Sequence, residues 1–186
     1  DYALYQLHAM VPAHDDRMRL AAKGLSGEGD KGHVFWDTEI FALPCYIFTC
    51  PEIAQNLLLY RYRCLEVAKK KAAEYGYRGV QYPWESADDG TEQCPDWTIE
   101  PDGTCYRCYV AVYEHHVTAA VAYGIYNYVK ITQDMDFLYS KGAEILTETA
   151  RFWASRCEYN KEQDRYEINQ VTGPDEWHEP VNNNLY

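Results

Sequence analysis

The chain has 186 residues, with 17 Lys and Arg against 29 Asp and Glu, which gives a formal net charge of −12 at pH 7. Nucleic acids and anionic lipid surfaces attract basic proteins, so this charge argues against a function that depends on binding either of them. Hydrophobic residues make up 47% of the sequence and charged residues 25%, a balance typical of a folded globular protein. The length alone predicts one domain.

The sequence predicts no membrane span, since no apolar stretch approaches the roughly 18–20 residues that a membrane helix needs. The seven Cys residues are odd in number and irregularly spaced. This usage is typical of free thiols in a reducing compartment, and we expect a cytoplasmic protein. Cys105 and Cys108 form a C-x-x-C pair, but zinc would need a second pair, and the adjacent His115 and His116 lack ligand spacing. We therefore expect no metal and no other cofactor.

Apolar residues that recur every three or four positions predict an all-α scaffold. The predicted helices are a short one at about Thr38–Phe48 and longer ones at about Pro51–Tyr75, Val110–Thr132 and Ser140–Arg156. Pro51 suits a first helical turn, and Asp134 is a plausible cap for a following turn.

The segments between the helices are long and rich in Gly, Pro and acidic residues. Residues 76–107 lack helical periodicity and predict a long functional loop. The alternating residues 165–168 predict a small β-hairpin with its turn around Glu162–Asp164.

Three of these segments place a Trp beside a carboxylate: Trp36-Asp37, Trp84-Glu85 and Glu176-Trp177. A sugar presents apolar C–H faces and a fringe of hydroxyls, which an aromatic ring and a carboxylate bind respectively. Burial beside an aromatic ring also raises a carboxyl pKa, as a general acid in glycosidic cleavage requires. Glu176, after a Gly-Pro turn and before Trp177, fits that requirement best. The alternative is that these Trp residues only pack the core, and this is our interpretation of Trp97 and Trp153.

Four runs carry a resemblance to a known family: GEGDKGHVFWDTEIF at 27–41, YPWESA at 82–87, ETARFWASR at 148–156 and GPDEWHEPVNN at 173–183. In these runs, and over nearly the whole chain, the sequence resembles the glycoside hydrolase family 65 disaccharide phosphorylases. Members of that family act on maltose, kojibiose, nigerose or trehalose.

The resemblance implies an (α/α)6 barrel with its site at one end. The predicted helices are about half of what such a barrel needs, so we expect residues 1–186 to be part of a catalytic domain that continues beyond Tyr186. An N-terminal β domain is also expected to be missing. A homodimer is implied for the full-length protein.

The resemblance also implies roles for particular residues. Glu176 falls on the general acid, while Trp36, Asp37, Trp84 and Glu85 resemble residues that line the subsite for the transferred glucosyl ring. A further set in the loop of the acid is implied to hold the acceptor sugar or the acid itself: His178, Glu179 and Asn182. The family's phosphate-binding groups fall outside this sequence. The motif departs from its commoner form at Trp177, where Tyr is expected, and Ala120 stands where many relatives carry Asp.

The implied reaction is inverting phosphorolysis of an α-glucosyl disaccharide, which yields β-glucose 1-phosphate and a free sugar, with inorganic phosphate as co-substrate. An inverting hydrolase would need a second carboxylate about 6.5–9.5 Å from the acid to activate water, whereas phosphate is already an anionic nucleophile. Two alternatives stay open at this point: a trehalase-like hydrolase of the same family and a sugar-binding protein without turnover.

Overall fold

The computed structural model describes residues 2–11, 13–15, 19–24, 29–174 and 180–184. The fold is mostly helical, which confirms the all-α prediction. Its α-helices are α1 (Tyr2–Met10), α2 (Leu43–Thr49), α3 (Pro51–Arg63), α4 (Leu65–Glu74), α5 (Val110–Tyr113), α6 (His116–Thr132), α7 (Met135–Phe137) and α8 (Ala143–Arg156). Wide helical turns at Thr38–Ala42 and Leu138–Gly142 lead into α2 and α8. Among the described residues, no helix is long and apolar enough to cross a bilayer.

The helix predicted over Pro51–Tyr75 forms as two helices, α3 and α4, with a break at Cys64, where the backbone takes φ −80° and ψ 2°. Pro51 occupies the first turn of α3, as predicted. A later loop packs directly on the break. A Cβ atom added at Gly90 would lie 2.6 Å from the Cβ of Cys64, so the loop can approach this closely only with glycine.

Helix α6 is the centre of the packing, and it contacts α2, α3 and α8. Val117, Val121 and Ile125 on its inner face are fully buried. The helix predicted over Val110–Thr132 is interrupted at Glu114 and His115, which separate α5 from α6. After α6 the predicted cap is confirmed, because the Asp134 carboxylate accepts a 2.9 Å hydrogen bond from the backbone N–H of Phe137.

Two small antiparallel hairpins complete the fold. The predicted one is confirmed, with β3 (Glu158–Asn160) paired to β4 (Arg165–Glu167). A second hairpin, β1 (Trp97–Ile99) with β2 (Cys105–Arg107), lies inside the segment predicted to be irregular. All six of its strand residues are exposed, so no alternation of buried and exposed residues marks it in the sequence.

The core-packing interpretation of Trp97 is wrong, because its side chain is 58% exposed. It lies on the exposed hairpin and not on a helix that faces the core. Trp153 is half-buried and packs on the fully buried Phe152, with ring centroids 5.2 Å apart.

Candidate active site

The first two Trp/carboxylate segments lie side by side. Val34 and Ser86 form an isolated antiparallel bridge, in which each backbone N–H donates to the other residue's carbonyl at 2.9 Å. This bridge places Trp36-Asp37 and Trp84-Glu85 in one region of the molecule, although the segments are far apart in sequence. The structure therefore brings together four of the predicted site residues.

A buried imidazole joins the two tryptophans. The ring centroid of His116 lies 4.8 Å from that of Trp36 and 5.5 Å from that of Trp84, both in edge-to-face geometry. Trp84 also contacts Phe35 edge to face at 5.8 Å. Burial lowers the pKa of His116 to about 4, so its ring is neutral at pH 7. We call Trp36, Trp84 and His116 the aromatic cluster.

The two indoles of the aromatic cluster differ in accessibility. Trp84 is 7% exposed and serves largely as packing among the described residues, whereas Trp36 is half-buried. Direct contact of either ring with a sugar stays a prediction. Sequence reasoning weighed His116 only as a zinc ligand and missed its place between two site tryptophans.

The Trp84-Glu85 segment is held by a carboxylate and an imidazole. Glu92 accepts hydrogen bonds from the backbone N–H groups of Trp84 and Glu85, each at 2.9 Å, and it forms an ion pair with Lys71 of α4. The side chain of Glu85 lies 2.6 Å from Nδ1 of His33, and both side chains are about 15% exposed or less. Glu85 is therefore fixed in position but still reaches solvent.

The Trp36-Asp37 segment is held by a buried ion pair from α3. Arg61 donates from Nε to Glu39 Oε1 at 2.6 Å and from a terminal nitrogen to Glu39 Oε2 at 3.0 Å. It also donates to the carbonyl of Phe35 and to the Ser86 hydroxyl, both at 3.2 Å. Burial by itself lowers the pKa of Arg61, but the Glu39 carboxylate outweighs burial and raises that pKa above its ordinary value. One guanidinium therefore links both segments.

Asp37 has different surroundings from its neighbour Trp36. It lines a cavity of about 300 Å³ whose other walls are mostly apolar: Leu7, Met10, Leu20, Ala21, Ala22, Thr38, Phe41 and Ala42. Burial raises the pKa of Asp37 above its ordinary value, and the nearby Asp30 adds to the rise. A carboxyl group held against apolar walls suits hydrogen bonding to a neutral, polar ligand.

The third segment lies largely outside the described residues, and with it the predicted residues Glu176, His178 and Glu179. Its two flanks are described. Val171 and Val181 form an antiparallel bridge, and the N–H of Thr172 donates to the carbonyl of Tyr113 at 3.1 Å. Tyr113 ends α5, three residues before His116. The hydrogen bond from Thr172 therefore attaches the start of the third segment near the aromatic cluster.

Asn182 lies on the second flank and has a structural partner. Its side-chain oxygen accepts a 3.0 Å hydrogen bond from the N–H of Gln170, which helps to close the loop that carries the predicted acid. The Asn182 side chain is exposed. Its contact with a sugar stays a prediction.

Arg156 of α8 hydrogen-bonds to His115 and to the backbone just before the third segment. It donates from Nε to Nδ1 of His115 at 3.1 Å and from a terminal nitrogen to the carbonyls of Asn169 and Gln170. Since His115 accepts at Nδ1, its proton is on Nε2, which donates to the carbonyl of Val112 at 2.7 Å. Burial, and then Arg156, lower the pKa of His115 to about 3. Sequence reasoning assigned no role to Arg156 or His115.

In the described part of the chain, no group of three or more His, Cys, Asp or Glu side chains has the arrangement of a metal site. The described residues instead place aromatic rings near two carboxylates: Glu85, which is paired with His33, and Asp37, which lines an apolar cavity. Such a set binds neutral polyhydroxylated ligands.

A helical scaffold with aromatic and carboxylate residues gathered on its loops is typical of domains that bind or process sugars. The chain belongs to glycoside hydrolase family 65, since the family model described as "Glycosyl hydrolase family 65 central catalytic domain" matches residues 1–186. This membership confirms the resemblance seen in the sequence motifs.

Individual relatives agree with this membership. The chain is 54% identical over 185 residues to a kojibiose phosphorylase of Caldanaerobacter subterraneus subsp. tengcongensis, covering 100% of this chain and 24% of that protein. It is 47% identical over 163 residues to a kojibiose hydrolase of Flavobacterium johnsoniae, covering 88% of this chain and 22% of the relative. The chain thus spans about a quarter of the length of the relatives it matches.

A solved structure shares the fold. It comes from the human microbiome and is provisionally named a kojibiose phosphorylase. It superimposes with a TM-score of 0.85 at 34% identity, over 97% of this chain and 22% of that chain. The architecture described above is therefore that of a family 65 catalytic domain, consistent with part of an (α/α)6 barrel.

Proposed function

We propose that this chain is part of an inverting glycoside phosphorylase that cleaves an α-glucosyl disaccharide with inorganic phosphate. The products are β-glucose 1-phosphate and a free sugar. The observation that carries the proposal is the contact of both Trp36 and Trp84 with His116, which brings their two segments into one region of a family 65 domain. The named activity of the 54% identical relative supports it.

In the proposed mechanism, Glu176 protonates the bridging oxygen while phosphate attacks the anomeric carbon from the opposite face. Trp36, Trp84 and the carboxylates of Asp37 and Glu85 would hold the glucosyl ring. The acceptor sugar would lie against His178, Glu179 and Asn182. Because phosphate is the nucleophile, the mechanism needs no second carboxylate as base and no cofactor.

Phosphate binding requires basic side chains that are not already paired with carboxylates. Two buried cations hold the described segments, and both are in ion pairs: Arg61 with Glu39 and Lys71 with Glu92. We therefore propose that the phosphate-binding residues lie in a part of the catalytic domain beyond this sequence. The exposed aromatic residues Phe41, Phe48, Tyr123 and Tyr126 on the wide turn, α2 and α6 would be covered by the remaining barrel helices.

The first experiment measures glucose 1-phosphate release from kojibiose, nigerose, trehalose and maltose by the full-length enzyme, with and without phosphate. We expect cleavage to require phosphate. Glu176→Gln should lower the rate of cleavage at least about a thousandfold, because the substitution removes the proton donor. Glu162→Gln, in the exposed hairpin turn, is the matched control and should keep full activity. Full activity of Glu176→Gln would refute the assignment of the acid.

A hydrolase is the second candidate, favoured by the 47% identity to a kojibiose hydrolase. The two reactions share the acid, so Glu176→Gln does not separate them. Cleavage that is equally fast without phosphate, with glucose as the product, would establish hydrolysis. Tight disaccharide binding by calorimetry without any product would instead establish a binding protein.

A further inference from the structure

Two cysteines meet at the base of the exposed β1–β2 hairpin. The Sγ atoms of Cys94 and Cys108 lie 3.6 Å apart, in van der Waals contact. The chain closes on itself at this point, because the N–H of Cys108 donates to the carbonyl of Asp96 at 2.7 Å, and the strand ladder begins at Trp97 and Arg107. The two sulfurs therefore face each other across a closed loop.

The backbone is held in place at both cysteines. The N–H of Cys94 donates to Glu92 at 3.2 Å, and Glu92 is itself paired with Lys71. Cys108 directly follows β2. Both residues are half-buried and lie at the base of an exposed hairpin. A disulfide would need the sulfurs to move closer by about 1.5 Å, which side-chain rotation and a small shift of the exposed hairpin can provide.

The C-x-x-C spacing suggests a different pair, Cys105 with Cys108, but the backbone argues against it. Cys105 begins β2 and the chain stays extended through Arg107. Three extended residues separate two Cα atoms by about 10 Å, beyond the roughly 7 Å limit for a disulfide. The contact that forms joins residues 14 positions apart.

We propose that Cys94 and Cys108 form a site of reversible oxidation, at which hydrogen peroxide converts the two thiols into an intrachain disulfide. The proposal does not depend on the sugar chemistry. It assigns a modification to a segment to which the proposed function gives no role.

The oxidation proceeds in two balanced steps. The Cys108 thiolate attacks peroxide, an S–O bond forms as the O–O bond breaks, and the released hydroxide takes up a proton to become water. The Cys94 sulfur then attacks the Cys108 sulfur, the S–O bond breaks, and the Cys94 proton leaves with the hydroxyl as a second water. Two thiols thus lose two electrons and two protons, and peroxide is reduced to two waters.

Burial, and then the neighbouring Cys108, raise the pKa of the Cys94 thiol above its ordinary value, which favours Cys108 as the sulfur that attacks peroxide. Attack by either sulfur yields the same disulfide, so the proposed bond rests on the 3.6 Å contact between the two sulfurs. A dithiol reductant should reverse the reaction.

Peptide mapping tests the pair directly. Trypsin cuts after Arg78, Arg107 and Lys130, so Cys94 and Cys105 fall in peptide 79–107 and Cys108 falls in peptide 108–130. The full-length enzyme is treated with peroxide, alkylated and digested without reduction. We expect a linked species that is two hydrogens lighter than the sum of peptide 79–107, alkylated once at Cys105, and unmodified peptide 108–130, and that disappears after dithiothreitol.

Two serine variants locate the bond. Cys105→Ser should keep the link, because Cys105 is exposed and not involved, whereas Cys94→Ser should reduce it at least tenfold. Circular dichroism of Cys105→Ser confirms that this variant is folded. Absence of the link in both the wild-type protein and Cys105→Ser, or its persistence in Cys94→Ser, would overturn the proposal.

Discussion

The two halves of residues 76–107 have similar compositions, but the first half packs against the helices and the second forms an exposed hairpin. Both contain a Pro and a Trp with acidic neighbours, in YPWES and CPDW. In the first half Trp84 is 7% exposed, whereas in the second half Trp97 is 58% exposed. The difference shows that a loop's composition does not decide whether its aromatic residue belongs to a site.

Backbone partners explain the difference. In the first half, the N–H groups of Val80, Gln81 and Tyr82 donate in turn to Glu148 of α8, Ala68 of α4 and Thr118 of α6. The second half is held mainly by its own hairpin ladder. We call residues 79–94 the packed half and residues 95–107 the hairpin half. If a few buried charges fix the packed half, their removal should destabilise the protein more than a change in the hairpin half does.

Among the charged and titratable groups, loss of the Arg61 guanidinium should have the largest effect. Arg61→Met leaves the buried Glu39 carboxylate without its partner and breaks the link between the two site segments. We expect a loss of about 3–5 kcal/mol in the free energy of unfolding. Urea denaturation of the full-length enzyme measures it. Arg63→Met, exposed near the end of the same helix, is the control and should change stability by less than about 0.5 kcal/mol. A loss below about 1 kcal/mol for Arg61→Met would show that the ion pair does not hold the segments.

A fall in pH should have the second largest effect, because it lowers the stability of the packing around the packed half. The pKa of His116 falls from 6.5 to about 4 on folding, so between these pH values the unfolded chain binds a proton that the folded chain does not. His115, with a pKa of about 3, acts in the same direction. Stability should therefore be full above about pH 6.5 and decrease by a few kcal/mol as the pH falls to about 4, while the raised pKa of Asp37 offsets part of the loss.

Urea midpoints at several pH values test this dependence. His116→Phe keeps an aromatic ring in the aromatic cluster and removes one titrating group, so it should weaken the pH dependence and leave the contribution of His115. His8→Phe, exposed on α1, should leave it unchanged. An equal pH dependence in the wild-type protein and His116→Phe would contradict the role given to this histidine.

Much of the scaffold could be predicted from the sequence because helical periodicity is a local property. The start of α3 at Pro51, the Asp134 cap and the β3–β4 hairpin were predicted from such local patterns, whereas the break at Cys64 that ends α3 was not. The contacts of the site could not be predicted in the same way. His33 and Glu85 pair across 52 residues of chain, and no local pattern marks such a contact. The sequence indicates a special role for Arg61 only weakly, by placing a charged residue on the apolar stripe of its helix.

The Glu92 carboxylate should have an intermediate effect. The N–H groups of Trp84 and Glu85 donate to different oxygens of Glu92, so Glu92→Gln keeps an acceptor for only one of them, and it removes the charge that pairs with the buried Lys71. We expect a loss of about 1–3 kcal/mol in the free energy of unfolding and a higher KM for the disaccharide, because Glu85 loses its support. Asp102→Asn in the hairpin half is the control. A Glu92→Gln enzyme with unchanged stability and unchanged KM would show that Glu92 does not position the segment.

The smallest effect should come from the hairpin half. Trp97→Ala removes a large side chain that is 58% exposed, so we expect a change within about 0.5 kcal/mol in the free energy of unfolding and no change in KM. The matched variant Trp84→Ala removes the same side chain where it is 7% exposed and packed on His116, and it should cost about 3–5 kcal/mol. The contrast between the two tryptophans is decisive, because composition predicts equal effects whereas packing predicts a difference of several kcal/mol. A loss of substrate affinity in Trp97→Ala would place the hairpin half in the binding site and end the division between the two halves.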